Sequence, residues 1–135
     1  MDKTTHIGCN VFIIKNNKLL LGLRKNMTGE GTWGLVGGHL EYGELMHEAA
    51  QRELFEETGI KAEKLEFLNV INSIQEKAHY IQVNFILRNF EGEVKNMEPD
   101  YCGGLEYFDL DNLPENILFG HQASIKSFKE NQVYV

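Results

Sequence analysis

Residues 38–60 read GHLEYGELMHEAAQRELFEETGI, and the fold is worked out from this stretch. From 43 to 58 the pattern is helical. Gly43 is placed to cap the start, Glu44 and Glu48 crowd the first turns, and Gly59 sits where a glycine ends a helix. Glu53, Glu56 and Glu57 stand at i, i+3 and i+4, so all three carboxylates share one helical face. Like charges at that spacing repel, and a bound divalent cation would offset the repulsion. The plain alternative is a solvated acidic face, because glutamate is a good helix former. At about 100° per residue, however, the acids fall on an arc with Met46, Ala49 and Ala50 rather than opposite them. Small side chains there let backbone or ligand approach closely.

Upstream, residues 7–15 (IGCNVFIIK) and 18–23 (KLLLGL) read as strands joined by an Asn16-Asn17 turn into a hairpin. Residues 24–38 carry Gly29, Gly31, Gly34, Gly37 and Gly38, too many for a regular element, and read as a loop whose backbone closes on something. Downstream, residues 65–75 and 80–89 read as strands. The second places Ile81, Val83, Phe85 and Leu87 on one face and Tyr80, Gln82, Asn84 and Ile86 on the other. A short strand at 105–110 and a helix at 119–130, packing through Ala123, Ile125 and Phe128, close the chain. Strands on both sides of a central helix, with a terminal helix, predict an α/β sandwich with a mixed sheet. No linker or repeat interrupts residues 1–135, so a single domain is expected.

At 135 residues and 15.5 kDa, the chain has the length of one domain. Twenty Asp and Glu against 13 Lys and Arg leave a net charge of -7, which argues against a groove that tracks a polynucleotide backbone. A small phosphorylated ligand remains compatible with that balance when a cation supplies the positive charge. Cys9 and Cys102 lie far apart without metal-ligand spacing and read as two reduced thiols. The start (MDKTTH) precedes only a short apolar run, and no stretch approaches a membrane span, so a cytoplasmic protein is expected. A glycine loop feeding an acid-lined helix points to metal-assisted phosphate chemistry.

The same segment resembles the Nudix box: G, five residues, E, seven residues, then R-E-U-x-E-E-x-G-U, with U a bulky aliphatic residue. Gly38, Glu44, Arg52-Glu53-Leu54, Glu56-Glu57, Gly59 and Ile60 fill all nine defined positions over 23 residues. The resemblance implies a Nudix-type α/β/α sandwich with a loop-helix-loop motif that holds Mg²⁺, with Mn²⁺ as a substitute. It further implies hydrolysis of a nucleoside diphosphate linked to another group by water attack on phosphorus. Carried over by position, Glu53, Glu56, Glu57 and the backbone carbonyl of Gly37 would ligate metal. Arg52 would orient a neighbouring carboxylate, and Glu44 would brace the loop-helix junction. The proton would go to Glu53 or to Glu98, which in the segment Asn96-Met97-Glu98-Pro99 resembles an additional acidic metal ligand or base, with a surface-loop acid as the alternative. Non-catalytic sensor domains of the family often lose box acids, which this chain keeps. A homodimer is a further family expectation.

Substrate markers narrow the class. The proline of ADP-ribose hydrolases is missing near Ser73-Ile74-Gln75-Glu76, Lys77 stands where dinucleoside polyphosphate hydrolases favour tyrosine, and no proline-rich NADH motif occurs. The residues Trp33-Gly34-Leu35-Val36-Gly37-Gly38-His39-Leu40-Glu41 are similar to the entrance of MutT-like nucleoside triphosphate diphosphatases, with Val36 replacing the usual proline and loosening the loop. Val70-Ile71-Asn72-Ser73 and the Glu98 segment resemble the second-homologue subgroup of MutT-like proteins. Such an enzyme would cleave canonical or modified nucleoside triphosphates to monophosphate and pyrophosphate. Nucleotide sugars or dinucleotides are the alternative substrates. Arg24 is a candidate phosphate contact, and His39 a phosphate or base contact; a surface role is the alternative for each. Gln82 and Asn84 would read a base edge or lie on a solvated strand face. Phe119 and Gly120, in Phe119-Gly120-His121, resemble a purine wall, with core packing of Phe119 as the alternative. Trp33 reads as a core or loop anchor.

Overall fold

In the computed structural model residues 3–135 are described; Met1 and Asp2, part of the N-terminal stretch read above, lie outside them. The hairpin forms as expected from β1 (Thr5–Lys15) and β2 (Lys18–Arg24). Lys15 faces Lys18 across Asn16 and Asn17, whose φ angles of 53° and 60° are those of a tight hairpin turn. The glycine-rich segment contains two short strands, β3 (Trp33–Gly34) and β4 (Val36–His39), where the sequence predicts only a loop. Local propensity loses there to ladder pairing, because β4 runs antiparallel to β1 from Gly8↔His39 to Val11↔Val36. That pairing holds Val36 buried and in register with Val11.

β5 (Glu66–Ile74) and β6 (His79–Leu87) are antiparallel, and β6 lies parallel to β1 from Thr5↔His79 to Ile13↔Leu87. β7 (Cys102–Asp109) pairs with β2, starting earlier than the sequence suggested. The sheet is therefore mixed, ordered β3-β2-β1-β6-β5, with β4 added to β1 and β7 to β2. The helix α1 (Met46–Thr58) covers one face and α2 (Phe119–Lys129) the other, giving the expected three-layer sandwich.

Strand period 2 divides β1 between two cores. Cys9, Val11 and Ile13 pack with Ala49, Ala50 and Leu54 under α1, while Phe12 and Ile14 pack with Leu19, Leu21 and Ile125 under α2. Both faces of β6 are covered in consequence, and Gln82 and Asn84 are buried rather than solvated.

Three details depart from the sequence reading. The cap of α1 is Leu45, whose N–H donates to the Glu48 carboxylate at 3.0 Å; Gly43, with φ +83°, lies in the preceding turn. On α2, Ala123 is exposed and His121, Ser124 and Ser127 turn inward with Ile125. Phe119 is 64% exposed and takes no place in the core. As expected, Gly59 ends α1 in the left-handed conformation and Trp33 anchors its loop edge-on to Phe108. Cys9 and Cys102 are not bridged. No helix of the described residues is long and apolar enough to cross a membrane.

Candidate active site

The loop before α1 is pinned by one arginine. Arg52 Nε donates to Glu44 Oε2 at 2.8 Å and Nη2 to Glu44 Oε1 at 3.2 Å, while Nη1 donates to Glu53 Oε1 at 2.8 Å. Nη2 also reaches the His39 carbonyl at 3.2 Å, joining the end of β4 to the helix. The Arg52 hydrogen bond holds the Glu44 carboxyl below its usual range. Arg52 thus links Glu44, in the loop, to Glu53 on the helix.

Glu53 and Glu57, one helical turn apart, face β4. Gly37 N–H donates to Glu57 Oε2 at 3.0 Å, and the Glu53 carboxylate fills the space that a Cβ on Gly38 would need. Burial, followed by a hydrogen bond to Glu53 and the charge of Glu53, pushes the Glu57 carboxyl well above its ordinary value. A cation placed against the pair would offset that penalty. Among the described residues no three or more His, Cys, Asp or Glu side chains form a closed metal cage. An open pair beside the β4 backbone is instead what Mg²⁺ accepts, since it takes one or two carboxylates and completes its shell with phosphates and water. The donor set fits that ion.

Glu98 arrives from the far side. Met97 N–H donates to the Glu57 carbonyl and Lys95 N–H to the Thr58 carbonyl, so the loop is tied to the last turn of α1. Burial, then the charges of Glu53 and Glu56, raises the Glu98 carboxyl above its ordinary value.

Glu53, Glu57, Glu98, Gly37 and Arg24 line one cavity of about 610 Å³, and so do His39, Gln82, Phe119 and Gly120. Arg52 and Glu56 do not. Arg52 acts through Glu53, and Glu56 leans outward with its Oε2 3.4 Å from Arg52 Nη1. Arg24 is braced through Nε to the Thr28 carbonyl at 2.8 Å. His39 stacks on His6 with centroids 5.6 Å apart and reaches Tyr80 Oη at 3.3 Å. Asn84 does not reach the cavity: it bonds to Asn10, Asn69 and Ser124 behind Gln82.

Among the lining residues that sequence reasoning passed over are Asn10, Gln75, Tyr80 and His121. Asn10 left a signal, a lone amide within an apolar strand. The role of His121 depends on tertiary packing, because its Nδ1 accepts the Leu35 N–H at 3.0 Å across 86 positions. Burial, with the Arg24 charge as a second cause, pushes the His121 imidazole down to about 3. The unfolded chain then binds the extra proton between about pH 6.5 and 3, so stability declines as pH falls through that window. At pH 4.5 the His121 share of the loss should be about 2–3 kcal/mol relative to pH 7. Urea midpoints at the two pH values measure it, and His121→Gln should remove that share of the difference. An equal decline in the variant would refute the assignment.

Loop, acids and sandwich together have the arrangement that the box pattern implies, and the comparisons with known proteins show the family. The family model described as the NUDIX domain matches residues 4–129, and the chain belongs to that family. A Methanocaldococcus jannaschii protein named ADP-ribose pyrophosphatase is 40% identical over 124 residues, spanning 90% of this chain and 72% of its own length. The Danio rerio oxidized purine nucleoside triphosphate hydrolase is 31% identical over 109 residues, spanning 77% of this chain and 66% of the relative. Among solved structures, a MutT NUDIX hydrolase from Burkholderia pseudomallei superposes with a TM-score of 0.85 at 30% identity, covering 92% of this chain and 98% of that one.

Proposed function

We propose that this chain is a Mg²⁺-dependent nucleoside triphosphate diphosphatase of one domain, with Mn²⁺ as a substitute. The observation that carries the reading is the single cavity: acids and Arg24 line it together with Gln82, Phe119 and Gly120. A triphosphate could lie along the acids and Arg24 while its base rests against Phe119 and Gly120. Glu53, Glu57 and the Gly37 carbonyl, with Glu56 from the outer side, would hold the ion, which neutralises phosphate charge and lowers the pKa of a bound water.

The remaining work belongs to the protein. Arg52 fixes the Glu53 carboxylate, and Arg24 meets the phosphate oxygens. Glu98, with its raised affinity for a proton, is placed to take one from the attacking water, a task for which Glu53 is the other candidate. The water oxygen bonds to phosphorus as an anhydride P–O bond breaks, and monophosphate and pyrophosphate leave. His39 serves as an outer contact beside the phosphates. The substrate is a small nucleotide rather than a polynucleotide or a membrane component, and the location is cytoplasmic.

The 40% identity to the protein named ADP-ribose pyrophosphatase favours a second reading, ADP-ribose hydrolysis in the same cavity, although the proline marker is absent. Anion-exchange analysis of products from canonical and oxidised nucleoside triphosphates, ADP-ribose and dinucleotides, with Mg²⁺ and with EDTA, separates the two. Metal-dependent monophosphate plus pyrophosphate from a triphosphate is the expected result. Turnover confined to ADP-ribose would replace the substrate class, and no turnover at all would make the domain a binding module.

A further inference from the structure

Gln82 is 4% exposed, yet its amide nitrogen has no partner among the hydrogen bonds of the described residues and its side chain lines the cavity. The oxygen is engaged: Asn10 Nδ2 donates to Gln82 Oε1 at 2.8 Å and to Asn84 Oδ1 at 3.0 Å. Asn84 is held in turn, its Nδ2 donating to Asn69 Oδ1 at 2.7 Å and Ser124 Oγ at 3.0 Å. Backbone register makes this possible, because Gly8 faces Gln82 and Asn10 faces Asn84 along the β1–β6 ladder. Gln82 Oε1 occupies the space that a Cβ on Gly8 would need. The amide therefore lies across Gly8 with its oxygen toward Asn10 and its NH₂ left for the cavity. One polar atom, Asn69 Nδ2, is left buried without a partner at the far end of the chain of amides.

A second donor meets the first. A Cβ on Gly120 would sit 3.2 Å from Gln75 Nε2 and 3.4 Å from Gln82 Nε2, so both amide nitrogens converge on the space beside Gly120. Gln75 Nε2 is tethered only by a 3.5 Å contact to Ser73 Oγ. Phe119, exposed at the same rim, offers a ring face.

We infer that Asn10 is a positioning residue that fixes Gln82 as a hydrogen-bond donor, and that the Gln82–Gln75 pair selects a base edge bearing two acceptors, guanine over adenine. Guanine offers N7 and O6 as acceptors on one edge, whereas adenine places an amino donor beside N7 and would face Gln82 donor to donor. This deepens the nucleotide reading given above and rests on it for the location of the base.

Binding of GMP and AMP by calorimetry tests the inference separately from turnover. The parent chain should bind GMP at least about tenfold tighter than AMP, the discrimination expected of matched polar base contacts. Gln82→Glu, acceptor-only at the cavity, should bring the ratio to parity or reverse it. Asn10→Asp, also acceptor-only, should turn Gln82 round and move the ratio the same way; a merely structural role would weaken both ligands alike. If Asn10→Asp fails to fold, Gln82→Glu alone decides. Equal or tighter AMP binding by the parent, an unchanged ratio in folded Gln82→Glu, or binding of neither nucleotide would overturn the inference. Triphosphate turnover with no guanine preference would overturn it while leaving the diphosphatase reading intact.

Discussion

Glu57→Gln, confirmed folded by circular dichroism, should turn over its best nucleotide at least about a hundredfold more slowly than the parent chain, and so should Glu53→Gln. Each tenfold loss corresponds to about 1.4 kcal/mol of transition-state stabilisation, and a metal contact made there is worth several. Glutamine keeps the shape of the side chain, and its carbonyl can still accept the 3.0 Å hydrogen bond from Gly37 N–H. The metal-free melting temperature of Glu57→Gln should therefore not fall, because the substitution also removes a carboxyl whose ionised form the site disfavours. Lost turnover with retained stability separates a ligand role from a scaffolding role. Wild-type rates in both folded variants would sink the assignment of the metal site.

Gly37→Ala should produce the largest loss of stability among single methyl additions along this loop. Its φ of +153° already disfavours a side chain, and a Cβ there would run into Asn10 Oδ1, the Cys9 carbonyl and Asn10 Cα. Two of those atoms are backbone of the central strand and cannot swing away. Strain and overpacking together should cost about 2–5 kcal/mol, lowering the melting temperature by about 10 °C. Gly43→Ala is the control. It too has positive φ, at +83°, but nothing lies within 4 Å of the added methyl. Equal melting temperatures for the two variants would show that the collision with β1 is not what makes Gly37 necessary.

The elements legible in the sequence were those with a short-range cause. Asn16-Asn17 announced a hairpin because two adjacent left-handed residues are what a two-residue turn requires. Gly59 announced the end of α1 for a similar reason, and the box acids shared a face through helical spacing alone. The failures were tertiary. Gly37 and Gly38 entered a strand because β1 supplied the ladder, which no local window contains. Gln82 and Asn84 showed a strand's alternation, but both are buried, and Asn84 meets Ser124 of α2 from 40 positions away. Phe119 was legible as a purine contact or as core, and its exposure at the cavity rim removes the second option. Asn10 went unnoticed because a single amide in an apolar strand acquires meaning only through the strands on either side of it.

The parallel pairing of β1 with β6 has a kinetic consequence. Asn10 and Gln82 stand 72 positions apart in the chain, and the ladder that joins them runs from Thr5↔His79 to Ile13↔Leu87. The β1–β2 hairpin and α1 can gather by local contacts, but this ladder has to close the long loop between its strands before it repays the entropy of doing so. The base-reading wall therefore cannot form before this closure. During refolding, recovery of nucleotide binding should follow the β1–β6 pairing rather than the appearance of helix.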